Sequence, residues 1–204
     1  MSKQNQKRAW QRMLSGRRLN LLDPSPIDIE ISDIARGIAC VARWNGQTTG
    51  NHAFSVAQHS VIVADICIDL TPNLSAKLEM MALLHDASEY VIGDMISPFK
   101  NALGFDYQQF EERLEAVIHI RFGLPASPTR QEKKLIKTAD ITCAYFEATQ
   151  LAGFSVEEAD KFFDRSKNLS KTMHNQLMEI APCSVLEAEK QFLARFEQIN
   201  ARLK

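Results

Sequence analysis

The chain has 204 residues, 45% of them hydrophobic, which fits one compact domain or one domain with extensions. Its 24 Lys and Arg residues nearly balance 25 Asp and Glu residues, so the formal net charge of -1 gives no electrostatic case for nucleic acid as the main partner. No stretch approaches the ~20 apolar residues of a membrane span, and the N-terminus lacks the apolar core of a signal peptide. We therefore expect a cytoplasmic protein without a membrane partner.

The N-terminal segment 1–18 is basic and contains no acidic residue. Such a segment is either a phosphate-binding arm or, as general considerations favour, a solvated and partly frayed terminus. Residues 19–29 include two prolines and predict a rigid extended connector. Ser32 predicts the start of the first helix. The apolar stripe of that helix consists of Ile34, Ile38 and Val41.

A polar, Gly-punctuated loop over residues 43–52 follows, and it begins with Arg43 and Trp44. Arginine offers bidentate contact to phosphate, and tryptophan offers an apolar wall for a base or sugar. Anchoring of the loop to the core explains Trp44 equally well. Both interpretations remain open at this stage.

Two predicted helices then each place a histidine inward. Ser55 caps the first, and His59 lies on its apolar stripe. The second runs from about residue 74 to 87 and carries His85 inward, with Asp86 next to it. Neighbouring side chains on a helix point about 100° apart, so His85 and Asp86 reach one ion only near a helix end.

The remaining helices include one further inward carboxylate. A helix over 105–122 carries His119, which we assign to the surface. The next helix runs from about Thr129 into the 150s, and Asp140 lies in the middle of its apolar stripe. A buried carboxylate costs several kcal/mol unless it is paired or bound to a metal. Four separated cysteines form no Cys-x-x-Cys pair, and those on apolar stripes are predicted to be reduced core thiols. These are Cys40, Cys67 and Cys143.

Polar side chains on the apolar faces of three helices need a common partner where the helices meet. The set consists of His59, His85, Asp86 and Asp140. Two imidazoles and two carboxylates suffice to bind one transition metal and leave positions open for water and substrate.

The order of these residues resembles the H…HD…D signature of the HD-domain metal-dependent phosphohydrolases. The flanking segments resemble the branch that contains bacterial 5′-deoxynucleotidases: Arg43-Trp44, Ser55-Val56-Ala57-Gln58-His59-Ser60, Leu83-Leu84-His85-Asp86-Ala87-Ser88-Glu89, Gly93-Asp94 and Ser97-Pro98-Phe99-Lys100. The match runs from about Arg17 to the helix of Asp140. The chain departs from the pattern at Gln58, where a Glu is expected, and in the Gly-rich loop with His52.

The resemblance implies an all-α, single-domain HD-type helical bundle that binds one divalent ion (Co, Mn, Fe, Zn, Ni or Mg). The implied metal ligands are His59, His85, Asp86 and Asp140. The implied reaction releases phosphate from nucleoside 5′-monophosphates, above all deoxyribonucleotides. Glu89 and Asp94 are the implied catalytic carboxylates, with the roles of base and acid undecided between them. The implied substrate contacts are Arg43 on phosphate, Trp44 against the sugar, and Lys100 as added positive charge.

The predicted organisation is a basic extension over residues 1–18 and a bundle over 19–204. Within the bundle, residues 55–152 form the metal-site helices and residues 157–204 form packing helices. The apolar C-terminal helix fits a homodimer interface as well as ordinary core packing. Two other functions remain open: hydrolysis of another nucleotide phosphate, such as a dNTP or an alarmone, and non-catalytic binding of nucleotide or nucleic acid through the basic residues 1–18.

Overall fold

The computed structural model describes residues 9–95 and 105–203, and for residues 105–108 it describes the backbone alone. The predicted all-α class is confirmed, because the described residues are mostly helical and their strands form one small two-stranded hairpin. The hairpin strands are β1 (Trp10–Arg12) and β2 (Arg18–Asn20). The helices are α1 (Ile31–Cys40), α2 (Val56–Leu70), α3 (Ala76–Leu83), α4 (Glu89–Ile92), α5 (Phe105–Arg121), α6 (Arg130–Gln150), α7 (Val156–Phe162), α8 (Lys171–Met178) and α9 (Val185–Leu203). Short 3₁₀ turns span Pro26–Asp28 and Arg43–Gly46.

Helix α2 lies at the centre of the bundle. It packs against α1, α3, α6 and α9, and most of its side chains are buried. As predicted, Ser55 caps it, because the Ser55 hydroxyl accepts from the Gln58 backbone N–H. The buried residues of α2 therefore reach the deepest part of the core, and His59 is 0% exposed.

The chain leaves the helical conformation just before the His-Asp pair. The structure ends α3 at Leu83, earlier than the predicted helix, and His85 and Asp86 lie in a turn before α4 begins at Glu89. This turn supplies the helix end that two adjacent ligands require. Helix α4 packs on α1 at Gly37, where an added Cβ would come within 2.6 Å of the Tyr90 Cβ. Only glycine permits this approach, which holds α4 beside the turn.

The N-terminal residues that the structure describes are anchored, against the expectation of a frayed terminus. Strands β1 and β2 pair antiparallel, and Leu19 is fully buried. The Ser15 backbone N–H and hydroxyl both donate to the Asp33 carboxylate, at 2.9 and 2.5 Å. The hairpin is thereby fixed to the first turn of α1.

Three further expectations were wrong. Helix α1 begins at Ile31 with Glu30 as its N-cap rather than at Ser32, because the Glu30 carbonyl already accepts from two backbone N–H groups. Cys40 is exposed because it is the last residue of α1, whereas Cys67 and Cys143 are buried as predicted. His119 is only 1% exposed, because the chain turns back over the end of α5 and Leu124 N–H bonds the His119 carbonyl. Within residues 9–95 and 105–203, no helix carries an apolar stretch sufficient to cross a membrane.

Candidate metal centre

Four side chains from α2, the α3–α4 turn and α6 bring one donor atom each to a common point. His59 Nε2 lies 3.3 Å from His85 Nε2, 3.3 Å from Asp140 Oδ1 and 3.5 Å from Asp86 Oδ2. His85 Nε2 lies 3.2 Å from Asp86 Oδ2. The structure thus brings together all four residues that the sequence selected as metal ligands.

These separations fit the coordination shell of one ion. Nitrogen and oxygen ligands lie about 2.1 Å from a bound transition metal, so two ligands of the same ion are about 3.0–3.4 Å apart. The four distances given above lie in or just beside this range. A mixed set of two imidazoles and two carboxylates suits Zn, Mn, Fe, Co and Ni, and the carboxylates also suit Mg. The residues present therefore fit a divalent ion.

The protein fixes the orientation of both imidazoles from behind. His85 Nδ1 lies 2.8 Å from the Ala82 carbonyl oxygen, and His59 Nδ1 lies 2.5 Å from Glu147 Oε1. A carbonyl or carboxylate oxygen at Nδ1 selects the tautomer that donates there and leaves the Nε2 lone pair free for a metal. Both Nε2 atoms face the common point.

Arg43 lies beside the four donors because a short antiparallel contact attaches its segment to the start of α2. The Arg43 N–H donates to the Phe54 carbonyl and the Val56 N–H donates to the Val41 carbonyl. The Nη1 atom of Arg43 lies 3.9 Å from Asp86 Oδ2 and 3.8 Å from Asp94 Oδ2. A fixed cation therefore stands next to the donor cluster, where an anionic substrate would enter.

Glu147 is the buried centre of a second cluster behind the donors. Its Oε2 accepts from Arg43 Nε at 3.1 Å and Nη2 at 3.0 Å, and from Trp44 Nε1 at 2.7 Å. Its Oε1 contacts His59, as above, and lies 3.2 Å from the Cys143 thiol. Glu147 was not among the sequence-selected residues. Its spacing of seven residues from Asp140 puts both carboxylates on the same face of α6, but this spacing gives no sign of its partners Arg43 and His59.

Trp44 is anchored to the protein by both its polar and its apolar parts. Its indole N–H donates to Glu147, and its ring lies 5.7 Å from that of Phe154 and 6.0 Å from that of Phe163. Its backbone φ is positive, 56°, and that of Asn45 is 51°. Left-handed backbone costs about 1–2 kcal/mol for such residues, so these contacts hold a strained turn in place.

The carboxylates of the cluster stay ionised despite their burial. Burial acts to raise the pKa of Asp86, but the adjacent His85 and His59 outweigh it and lower the pKa below its ordinary value. Burial also acts to raise the pKa of Asp140. The neighbouring His59 outweighs this effect, and the pKa of Asp140 lies well below its usual range. For Glu147, Arg43 and His59 outweigh burial and lower the pKa to about 2. The two carboxylate donors, Asp86 and Asp140, are therefore charged at neutral pH, as binding of a cation requires.

Of the other sequence-selected residues, Glu89 is buried and Lys100 is not described. Glu89 is 2% exposed at the first position of α4, directly after the turn that carries Asp86. Lys100 lies outside the described residues.

Gln58, where the chain departs from the resembled pattern, bonds the segment before α9 through both atoms of its amide. Its Nε2 donates to the Ala181 carbonyl and its Oε1 accepts from the Cys183 N–H, each at 3.1 Å.

Convergent His, His-Asp and Asp donors on a helical bundle define the class of HD-domain metal-dependent phosphohydrolases. A family model described as YfbR-like 5′-deoxynucleotidase matches residues 33–192, which include every one of these donors. The chain belongs to the YfbR-like 5′-deoxynucleotidase family, and the protein is a nucleotide phosphohydrolase.

Three similar proteins illustrate the range of its relatives. An uncharacterized protein of Rhodobacter capsulatus is 57% identical over 159 residues, which cover 78% of this chain and 81% of that protein. The 5′-deoxynucleotidase PM0747 of Pasteurella multocida is 30% identical over 122 residues, covering 50% of this chain and 60% of that protein. A solved structure of a cyanophage S-2L HD phosphohydrolase bound to dA and one catalytic Zn²⁺ ion has a TM-score of 0.49 at 19% identity, covering 85% of this chain and 98% of that one.

Proposed function

We propose that the protein releases inorganic phosphate from nucleoside 5′-monophosphates, with deoxyribonucleotides as the preferred substrates and one divalent ion as cofactor. The observation that supports this most directly is the convergence of four donor atoms beside the Arg43 guanidinium. The family description and the name of the Pasteurella multocida relative point to the same substrate class.

The metal would be held by His59, His85, Asp86 and Asp140. When bound, a divalent ion polarises a phosphoryl oxygen and lowers the pKa of water, which gives a nucleophile near neutral pH. The contribution of the chain is to hold the four donors in place before the ion arrives, since both imidazoles are already oriented from behind. Little reorganisation is then needed on binding.

Arg43 would bind the phosphate. Its Nε and one side of Nη2 are engaged by Glu147, whereas Nη1 points to Asp86 and Asp94. The end of the guanidinium that faces the donor cluster therefore remains available for a phosphate oxygen. Trp44, fixed next to it, would pack against the sugar and would select between deoxyribose and ribose.

Glu89 and Asp94 are the carboxylates proposed to move protons. One would take the proton of the attacking water, and the other would protonate the leaving 5′ oxygen. Asp94 lies beside the Nη1 atom of Arg43, so it would contact the phosphate region directly. Glu89 lies at the start of α4, next to the metal-facing turn. Lys100 would add positive charge near the phosphate.

The decisive experiment measures phosphate release from a panel of 5′-nucleotides by metal-stripped protein, to which Co, Mn, Mg, Zn or no metal is added. We expect metal-dependent release from deoxynucleoside monophosphates that exceeds release from ribonucleotides. If monophosphates stay intact while the metal still binds, the proposed substrate class is wrong. The panel then includes dNTPs and guanosine alarmones as the alternative substrates.

Asp86→Ala is expected to abolish metal binding and phosphate release together while the helical circular dichroism spectrum is retained, because it removes a donor without altering a helix interior. Asp160→Ala, at an exposed position of α7, is the matched control and should change neither property. Turnover by metal-free Asp86→Ala protein would contradict the proposal.

A further inference from the structure

We infer that Glu147 is a positioning residue that orients the metal ligand His59 and the phosphate-binding Arg43 through one carboxylate, and so couples metal binding to substrate binding. The inference rests on the proposed function for the role of Arg43 and on the geometry alone for the role of His59. Glu147 touches neither the donor cluster's centre nor the space that Arg43 Nη1 faces. It acts through the residues that do.

The contact with His59 determines which ring nitrogen faces the metal. Glu147 Oε1 lies 2.5 Å from His59 Nδ1, and both side chains are fully buried. No water can replace this acceptor at such a position without a cavity, so the carboxylate alone holds the Nδ1–H tautomer. His85 differs in this respect, since a backbone carbonyl performs the task. Glu147 therefore orients His59 directly, whereas the orientation of His85 depends on a backbone carbonyl.

The other oxygen fixes the substrate side of the site. Oε2 accepts from Arg43 Nε, Arg43 Nη2 and Trp44 Nε1, at 2.7 to 3.1 Å. The two bonds from one edge of the guanidinium converge on this single oxygen and so set the direction in which the guanidinium points. Arg43 is thereby turned so that Nη1 faces Asp86 and Asp94. Without Glu147, the guanidinium would lose both bonds that fix its direction, and Nη1 would no longer be held at the phosphate position.

A competing interpretation treats the same residues as a second metal site. His59, Cys143 and Glu147 offer ligand atoms within 4.8 Å of one another. However, the four N–H bonds that Glu147 accepts already fill the roughly four acceptor sites of a carboxylate, and the Cys143 thiol adds a fifth contact. An ion would have to displace these donors from a fully buried position. The hydrogen-bonded arrangement is the one that the contacts support.

A glutamine at position 147 cannot reproduce this arrangement. It keeps the size of the side chain but replaces one acceptor oxygen with an NH₂ group. That group would face either the His59 N–H or the donors of Arg43 and Trp44, so one of the two contacts must break. Glu79→Gln is the matched control, because Glu79 is another buried glutamate that pairs with two arginines, both on α9.

The experiment titrates stripped wild-type, Glu147→Gln and Glu79→Gln proteins with Co²⁺. Equilibrium dialysis measures affinity and stoichiometry, and the visible spectrum of bound Co²⁺ reports its coordination. We expect one ion per wild-type chain, about 10- to 100-fold weaker binding with an altered spectrum in Glu147→Gln, and wild-type affinity in Glu79→Gln. In metal-saturated Glu147→Gln, KM for the nucleotide should also rise.

Circular dichroism checks that each variant is folded. If Glu147→Gln does not fold, Glu147→Asp is used instead: it keeps the charge, shortens the reach by one methylene, and should give a smaller loss of Co²⁺ affinity in the same direction. Wild-type affinity and spectrum in a folded Glu147 variant would overturn the inference. So would two ions per wild-type chain and one in Glu147→Gln, because Glu147 would then be a ligand.

The outcomes separate this inference from the proposed function. Metal-dependent phosphate release by the wild type, with unchanged Co²⁺ binding in Glu147→Gln, sustains the enzyme and refutes the positioning role. Weakened Co²⁺ binding in Glu147→Gln, with no phosphate release by the wild type from any nucleotide, refutes the proposed substrate class and sustains the positioning of His59.

Discussion

Glu147 and Glu79 are both buried glutamates paired with arginine, yet their surroundings differ. Glu79 on α3 accepts from Arg195 Nη1 at 3.5 Å and from Arg202 Nη2 at 2.5 Å. The side chains of Arg195 and Arg202 are 22% and 52% exposed. The partners of Glu147 are more enclosed: the side chain of Arg43 is 12% exposed and that of His59 is 0% exposed.

The difference teaches that the chemistry of a buried ion pair does not reveal its purpose. Glu79 joins α3 to α9, and its arginines reach water, so the pair functions as a connection between two helices. The partners of Glu147 extend from it to the donor cluster on one side and the phosphate position on the other. What distinguishes the two pairs is where the partner side chains lead: those of Glu147 reach the functional site, and those of Glu79 reach water.

The largest expected contrast follows from replacing each glutamate with leucine. Glu147→Leu leaves Arg43 and His59 without their carboxylate in a dry environment and should lower the free energy of unfolding by about 3–5 kcal/mol. Glu79→Leu should cost less, because water can solvate its arginines. Urea unfolding of stripped proteins measures both. Arg43→Met combined with Glu147→Leu should recover part of the loss. Equal losses for the two single variants would remove the distinction.

A smaller contrast is expected from salt. The Debye length, over which salt screens interactions between exposed charges, is about 3 Å in 1 M salt and about 10 Å in 0.1 M salt. The destabilisation caused by Glu79→Gln, about 1–2 kcal/mol at low salt, should therefore shrink in 1 M NaCl. The destabilisation caused by Glu147→Gln should change little, because its partners are enclosed. Paired unfolding curves at the two salt concentrations test this, and a similar salt response in both variants would contradict it.

The smallest effect concerns Asp65, which accepts a hydrogen bond from Arg195, one of the two arginines paired with Glu79. Burial raises the pKa of Asp65, with Arg195 opposing and Glu79 adding to the rise. The folded state then binds a proton more readily than the unfolded state, so this group costs stability at neutral pH, and the cost disappears as pH falls through the raised pKa toward 3.8. Asp65→Asn should be as stable as the wild type or slightly more stable at pH 7, with the difference vanishing near pH 4. A Tm series over this range provides the check.

Much of the site follows from local patterns in the sequence. Apolar spacing locates α2 and α6: Ser55 caps α2 as predicted, and α6 begins directly after Thr129, close to its predicted start. Adjacent ligands at 85 and 86 require a helix end, and α3 does end at Leu83. These features depend on residues a few positions apart, which a single sequence displays directly.

The errors and omissions have a different physical origin. His119 was assigned to the surface because the segment that covers it comes after its helix, and only the folded chain shows that return. Glu147 was missed because a charged residue on a long helix usually faces water. Its partners Arg43 and His59 lie 104 and 88 residues away in the chain, so no local pattern reports the pairing.

Gln58 connects the metal centre to the segment that precedes α9. Its amide bonds both Ala181 and Cys183, and it directly precedes His59. An amide is needed there because a carboxylate could not donate to the Ala181 carbonyl. The Cys183 N–H can exchange its hydrogen with solvent only when this connection opens. Its deuterium exchange rate therefore monitors, from outside the site, how firmly the helix that carries His59 is held.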